Sequence, residues 1–161
     1  MNTAIGKVTR KLTVTKTFDN LKAAHRQWRH PGHCSYGHGE NWSFDIMFEA
    51  DQVDEQNFVV DFGKFSSLRD SLNSWFDHTF LIDGDDPTTE TFEELHQKRL
   101  INLRRCPYGC SAEGLAQQVF DLAKLFAASV DKGERNLRPV LVVCREDSKN
   151  SAMYAKAFEP V

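Results

Sequence analysis

Between His25 and Trp42 the chain reads HRQWRHPGHCSYGHGENW, placing four histidines, one cysteine and one glutamate in a short stretch without apolar periodicity. Cys34, His38 and Glu40 follow the spacing C-x3-H-x-E. Residues two apart on a strand project from the same face, so His38 and Glu40 can converge there, and His25 would supply a third ligand from a neighbouring strand. Two imidazoles and one carboxylate with an open fourth position suit catalytic zinc, which polarises a carbonyl or a hydroxyl. Cys34, close by, is a candidate acid/base. The same residues also have plainer readings: loop histidines are often solvated or hydrogen-bonded, and an isolated cysteine is often a small buried hydrophobe. The rest of the chain decides between them.

At 161 residues the chain is read as one domain spanning 1–161, and 40% apolar with 27% charged residues is ordinary for a globular protein. The net charge of −3 is small and the basic residues are scattered, so composition gives nucleic-acid binding no support. No apolar run approaches the roughly 18 residues of a membrane helix, and MNTAIGKVTRK has no apolar signal core. The expectation is a cytoplasmic protein with no membrane partner, whose four cysteines are thiols. Cys106 and Cys110, spaced C-x3-C, fit neither a redox pair nor half a zinc knuckle, and Cys144 lies in an apolar run. Structural roles are expected for these three.

The elements that must position the histidines follow from periodicity. Residues 8–18 place Leu12, Val14 and Phe18 in one alternation register, a half-buried strand leading towards His25. Trp42, Phe44, Ile46, Phe48 and Ala50 alternate with mostly polar neighbours, the clearest strand in the chain. A polar turn separates it from a second extended run at Phe58–Val60. Phe65, Leu68, Leu72 and Trp75 then take helical spacing. Pro87 and the threonines after it suit the start of a short second helix carrying Phe92, Leu95 and Ile101. Residues 102–110 read as a loop. Ser111 can cap a longer helix with Leu115, Val119, Leu122 and Phe126 on one stripe, with Gly114 weakening its first turn. Val140–Val143 and SAMYAKAF at 151–158 close the chain as strands. The order predicts an α+β fold, an antiparallel sheet with helices on one face.

Taken together, these residues resemble the 6-pyruvoyl-tetrahydropterin synthase and 6-carboxytetrahydropterin synthase family, which has the tunnelling fold, ββααββ-like. A-A-H at Ala23 to His25 resembles the family's first zinc histidine, and C-x3-H-x-E at Cys34 to Glu40 resembles its C-x3-H-x-H. V-V-D-F at 59–62 is similar to the segment before the family's long helix, and Asp77-His78 resembles its catalytic pair. Ser-Ala-Glu at 111–113 is similar to the P-T-x-E that opens the next helix. Glu146, followed by S-A-M-Y at 151–154, resembles the pterin-anchoring glutamate. Two features depart from the pattern: Glu40 stands where the family has a third histidine, and residues 83–110 make a longer connection than small members carry. The short gap between cysteine and histidine resembles the 6-carboxytetrahydropterin branch.

The resemblance implies a zinc-dependent lyase that converts 7,8-dihydroneopterin triphosphate to 6-carboxy-5,6,7,8-tetrahydropterin, with triphosphate and acetaldehyde leaving, in queuosine and deazaguanine biosynthesis. It implies zinc on His25, His38 and Glu40, with Glu40 leaving the identity of the metal open. Cys34 is implied as the proton-transfer group, Asp77 and His78 as the second acid/base pair, and Glu146 as the pterin anchor. His30 and His33 remain loop histidines, and Glu113 a helix N-terminal carboxylate. Edge strands that need covering, together with the family's barrels, imply a homo-oligomer, with a hexamer as the expected size. The alternatives are the sibling reaction that yields 6-pyruvoyl-tetrahydropterin by triphosphate elimination, or a catalytically weak pterin-binding relative.

Overall fold

The structure is a computed structural model that describes residues 12–155. Strands β1 (Leu12–His25), β2 (His38–Ala50), β3 (Thr79–Asp83), β4 (Leu103–Cys106), β5 (Arg138–Arg145) and β6 (Ser151–Ala155) form one sheet in the order β4-β3-β1-β2-β5-β6. Helices α1 (Ser66–Phe76), α2 (Thr89–Gln97) and α3 (Ala112–Asp131) fall between the strands. The antiparallel part, β1, β2, β5 and β6, is the expected one. The ends of the first and last expected strands, residues 8–11 and 156–158, lie outside the described residues.

Three expectations change. Residues 79–83 and 103–106 are parallel strands added beyond β1, so the sheet is mixed and 102–110 is not simply a loop. Their sequences carry little alternation, because β3 buries four of its five side chains and β4 carries Arg104 and Arg105 in its centre. The run Phe58–Val60 is not a strand. Its carbonyl groups find the Arg135 guanidinium, which donates to Phe58 O at 3.2 Å and Val59 O at 3.1 Å, instead of a sheet partner. Ile101 lies beyond α2, which ends at Gln97.

The alternation in β2 is realised as written, with Trp42, Phe44, Ile46, Phe48 and Ala50 all buried on one face. Over that face α1 lays Leu68, Leu72 and Phe76, and α3 lays Leu115, Val119 and Phe126. Phe48, Phe65 and Phe126 form a cluster with ring centroids 5.0 to 5.6 Å apart, each pair adding about 0.5–1.5 kcal/mol beyond burial. Helix α2 behaves differently: Phe92 stacks on Phe80, on the face of β3 opposite Leu81. Ser111 caps α3 by accepting the Gly114 amide, as its position suggests. Asp131 ties the other end to β5 by accepting the amides of Arg135 and Leu137 at 3.0 and 3.1 Å.

β1 takes one extra residue between the pairs Phe18↔Phe44 and Leu21↔Trp42, a bulge in which Asn20 adopts φ 61°. Beyond it β1 runs on to a final cross-strand pair, His25↔His38. Among the described residues, no helix is long and apolar enough to cross a membrane.

Candidate metal and catalytic site

The terminal pair of the β1–β2 ladder brings His25 and His38 side by side, and the two-residue period of β2 puts Glu40 on the same face as His38. β5 pairs with β2 through Ser43↔Arg145, which carries the next residue, Glu146, to the same end of the sheet. The ligand atoms of His25, His38, Glu40 and Glu146 all lie within 4.8 Å of one another. The sequence-predicted metal residues therefore converge, and Glu146, expected only as a substrate anchor, joins them.

The protonation pattern of the two imidazoles is fixed by their outer nitrogens. His25 Nδ1 is 2.9 Å from the Cys110 carbonyl, and His38 Nδ1 is 2.9 Å from the Tyr36 carbonyl. A carbonyl oxygen only accepts, so each Nδ1 carries the hydrogen and each Nε2 presents a lone pair. Those two Nε2 atoms face each other at 2.9 Å, with Glu40 Oε1 3.9 Å from His38 Nε2. Two lone pairs at that separation repel unless a cation lies between them, a shared proton or a metal ion. The donor set therefore fits a divalent metal, with main-chain carbonyls orienting both rings as outer-sphere partners usually do.

Burial lowers the His25 pKa from its ordinary value of 6.5, and the neighbouring His38 pushes the same way, so the ring stays neutral and available as a ligand. Trp42 packs edge-on against it at 5.1 Å. Glu146 moves oppositely: burial, and then the charge of Glu40, raises its carboxyl above the ordinary 4.5. A cation bound among these groups would offset the rise at Glu146 and reinforce the neutral form of His25.

The other expected residues are placed less centrally. Cys34 sits half-buried in a single 3₁₀ turn, His33–Ser35, and its carbonyl accepts the Gln27 amide at 2.8 Å, closing the loop just beyond β1. Asp77 and His78 pair at 3.0 Å between Oδ1 and Nδ1. They clasp β1 at Lys22, whose amide donates to Asp77 at 3.3 Å and whose carbonyl accepts from His78 at 2.7 Å. The strand they lead into, β3, runs beside β1 with Ala23↔Thr79 and His25↔Leu81, so the pair is about 10 Å back along the sheet from His25. The His78 side chain is 82% exposed. The single chain does not bring it into the metal group. His30 and His33 pack on each other, ring centroids 6.2 Å apart, and His30 Nδ1 accepts the Gly32 amide. Two contributors escaped the sequence reading, the carbonyls of Tyr36 and Cys110. Main-chain groups leave no mark in residue type.

A family model described as 6-pyruvoyl tetrahydropterin synthase matches residues 12–157. The chain is 26% identical over 135 residues to the 6-carboxy-5,6,7,8-tetrahydropterin synthase of Aquifex aeolicus, covering 71% of this chain and 80% of that protein. It is 28% identical over 123 residues to the protein of the same name from Helicobacter pylori strain J99, covering 75% of this chain and 59% of that one. The crystal structure of an uncharacterized protein from Wolinella succinogenes superposes with a TM-score of 0.76 at 17% identity, over 92% of this chain and 99% of that one.

Proposed function

We infer the function from one premise, that the chain belongs to the 6-pyruvoyl tetrahydropterin synthase family. On it we propose that the protein is a zinc-dependent lyase in the cytoplasm, forming 6-carboxy-5,6,7,8-tetrahydropterin, acetaldehyde and triphosphate from 7,8-dihydroneopterin triphosphate and water. The step would serve queuosine biosynthesis. The observation that carries this reading is the meeting of two oriented imidazole Nε2 atoms with the carboxylates of Glu40 and Glu146. The named relatives from Aquifex and Helicobacter support the carboxy product.

His25, His38 and Glu40 would hold the metal, which supplies Lewis-acid polarisation of the substrate's side-chain oxygens. Glu146 accepts hydrogen bonds from the pterin's amino and ring N–H groups, two parallel donors matched by one carboxylate. Its raised proton affinity eases on meeting those donors. Cys34 moves protons at the substrate side chain, from a half-buried turn beside the end of β1. Asp77 orients His78 through the 3.0 Å contact to its Nδ1, so that the imidazole can serve as the second acid/base.

His78 is exposed and stands apart from the metal group of its own chain, which suits a site completed by a neighbouring subunit. The sheet ends in two edge strands, β4 and β6, the latter with Met153 67% exposed. A homo-oligomer, hexameric by our reading, would cover these edges and bring His78 of one copy to the metal group of another. A monomeric mass by light scattering at micromolar concentration would remove this part of the proposal.

The deciding experiment is metal content together with product mass from purified protein and 7,8-dihydroneopterin triphosphate. Zinc with acetaldehyde and the carboxy product is expected. Triphosphate release without acetaldehyde would move the protein to the pyruvoyl reaction.

A further inference from the structure

We propose that Asp83 is a positioning residue for the metal centre, acting through Cys110 to fix the tautomer and the aim of His25. The proposal rests on the reading above in one respect, that His25 is a ligand. It also gives the long connection between residues 83 and 110 a task.

β3 ends at Asp83, and the chain passes through α2 and β4 before a turn brings Cys110 back beside it. Asp83 is 9% exposed there. Its Oδ1 accepts the Cys110 amide at 2.8 Å, and its Oδ2 pairs with Arg29 Nη1 at 3.2 Å. Cys110 is fully buried, and every polar group it has is engaged. The amide goes to Asp83, and the carbonyl accepts His25 Nδ1. The thiol donates to the carbonyl of Arg26, the residue next to His25, at 2.8 Å. Burial, reinforced by Asp83, raises the Cys110 pKa and so keeps the thiol protonated as a donor.

The turn is closed on its other side by α3. A Cβ at Gly114 would come closer than 3.0 Å to the carbonyl oxygens of Tyr108 and Gly109, so these two carbonyls press directly on the first turn of the helix. Gly109 itself holds φ +87°, with Asp83 Oδ1 3.4 Å from where its Cβ would be. With its amide on Asp83 and the two preceding carbonyls against α3, Cys110 presents its own carbonyl to His25 Nδ1, and that carbonyl determines which nitrogen of His25 keeps the hydrogen.

The test uses the full-length protein and three variants, Asp83→Ala, Asp83→Asn and Arg29→Ala. Two readouts are taken: zinc affinity by chelator competition, and the His25 tautomer by nitrogen-detected NMR of the metal-free protein. Asp83→Ala should weaken zinc about 10- to 100-fold, the range for loss of an outer-sphere partner, and leave His25 as a mixture of tautomers. Asp83→Asn keeps an oxygen that can accept the Cys110 amide but loses the charge, which roughly halves such a bond, so it should fall between wild type and Asp83→Ala. Arg29→Ala removes the ion pair with Asp83 and leaves the bond to Cys110, so zinc affinity should not change. Wild-type zinc affinity and a wild-type tautomer in a folded Asp83→Ala protein overturn the proposal. If Asp83→Ala does not fold, the same result in Asp83→Asn overturns it. A wild-type protein that fails to hold zinc sinks the metal reading instead, while the tautomer readout still decides whether Asp83 positions His25.

Discussion

Glu40 from β2 and Glu146 from just past the end of β5 reach one pair of imidazoles, and the charge of Glu40 helps hold the Glu146 proton more tightly than a free carboxyl would. Such a pair carries more negative charge than a three-histidine site. That should make a bound metal a weaker Lewis acid and tilt selection towards harder ions such as manganese or iron. Carboxylate oxygen and imidazole nitrogen bind zinc at similar distances, about 2.0–2.2 Å, so Glu40→His should keep metal and activity, whereas Glu40→Ala should lose both. Glu146→Gln should keep metal and raise KM for the pterin. Metal content after dialysis against a chelator separates these outcomes. Equal occupancy in wild type and Glu40→Ala would remove Glu40 from the ligand set, and metal loss in Glu146→Gln would make Glu146 a ligand before an anchor.

Cys34→Ala should cost about 10²- to 10⁴-fold in kcat while the metal and the unfolding midpoint stay as in wild type. His78→Asn should be comparably severe. Retention of more than about a tenth of the activity by Cys34→Ala would return the thiol to a packing role. Mixing inactive Cys34→Ala with inactive His78→Asn subunits should restore part of the activity if the two residues of one site come from different copies.

The strand pattern and both large helices were legible because their side chains alternate or repeat against a core: β2 from Trp42 to Ala50, and α3 from Leu115 to Phe126. The meeting of His38 and Glu40 was legible because they stand two apart on a strand, and that of His25 because its strand pairs with theirs. β3 and β4 were not, since a parallel edge strand with Arg104 and Arg105 at its centre has no period to read. Nor could sequence separation reveal that Glu146 would join His25, or that Asp83 and Cys110 would meet: those proximities are products of the sheet order.

The metal-free protein should lose stability as the pH falls below about 6.5. The His25 pKa is lower in the folded state than the unfolded value of 6.5, so between the two the unfolded chain binds more protons and stability rises with pH. The contribution is complete above 6.5 and is withdrawn as the pH drops towards the folded value. Glu146 acts in the opposite sense from a lower starting point: its raised carboxyl favours the fold below 4.5 and ceases to do so as the pH rises through its folded value. Urea midpoints of wild type and His25→Asn against pH test this. A slope just below pH 6.5 that survives in His25→Asn would assign it to other groups.

Gly114→Ala should destabilise the fold by at least about 2 kcal/mol, despite the roughly 1 kcal/mol that alanine ordinarily gains over glycine in a helix. The new Cβ would meet two main-chain carbonyls, which cannot rotate away as a side chain does. Thermal unfolding measures the loss. A neutral or stabilised Gly114→Ala protein would mean that the 107–111 turn is looser than its packing implies.

The extra residue at Asn20 makes β1 a counting device. Before the bulge it is the even positions, Val14, Lys16 and Phe18, that turn towards the covered face, and after it the odd ones, Leu21, Ala23 and His25. Laid out at the same length without the bulge, the strand would hand the last inward place to Ala24 and send His25 out to the other side of the sheet, about 17 Å from Asn20. Every ligand would still be present in the sequence, and the centre would be gone. Length and bulge therefore act together: a β1 one residue shorter and unbulged would keep the histidine inward, whereas one of equal length that lost the bulge would not, so site residues can be matched between chains only with the bulge taken into account.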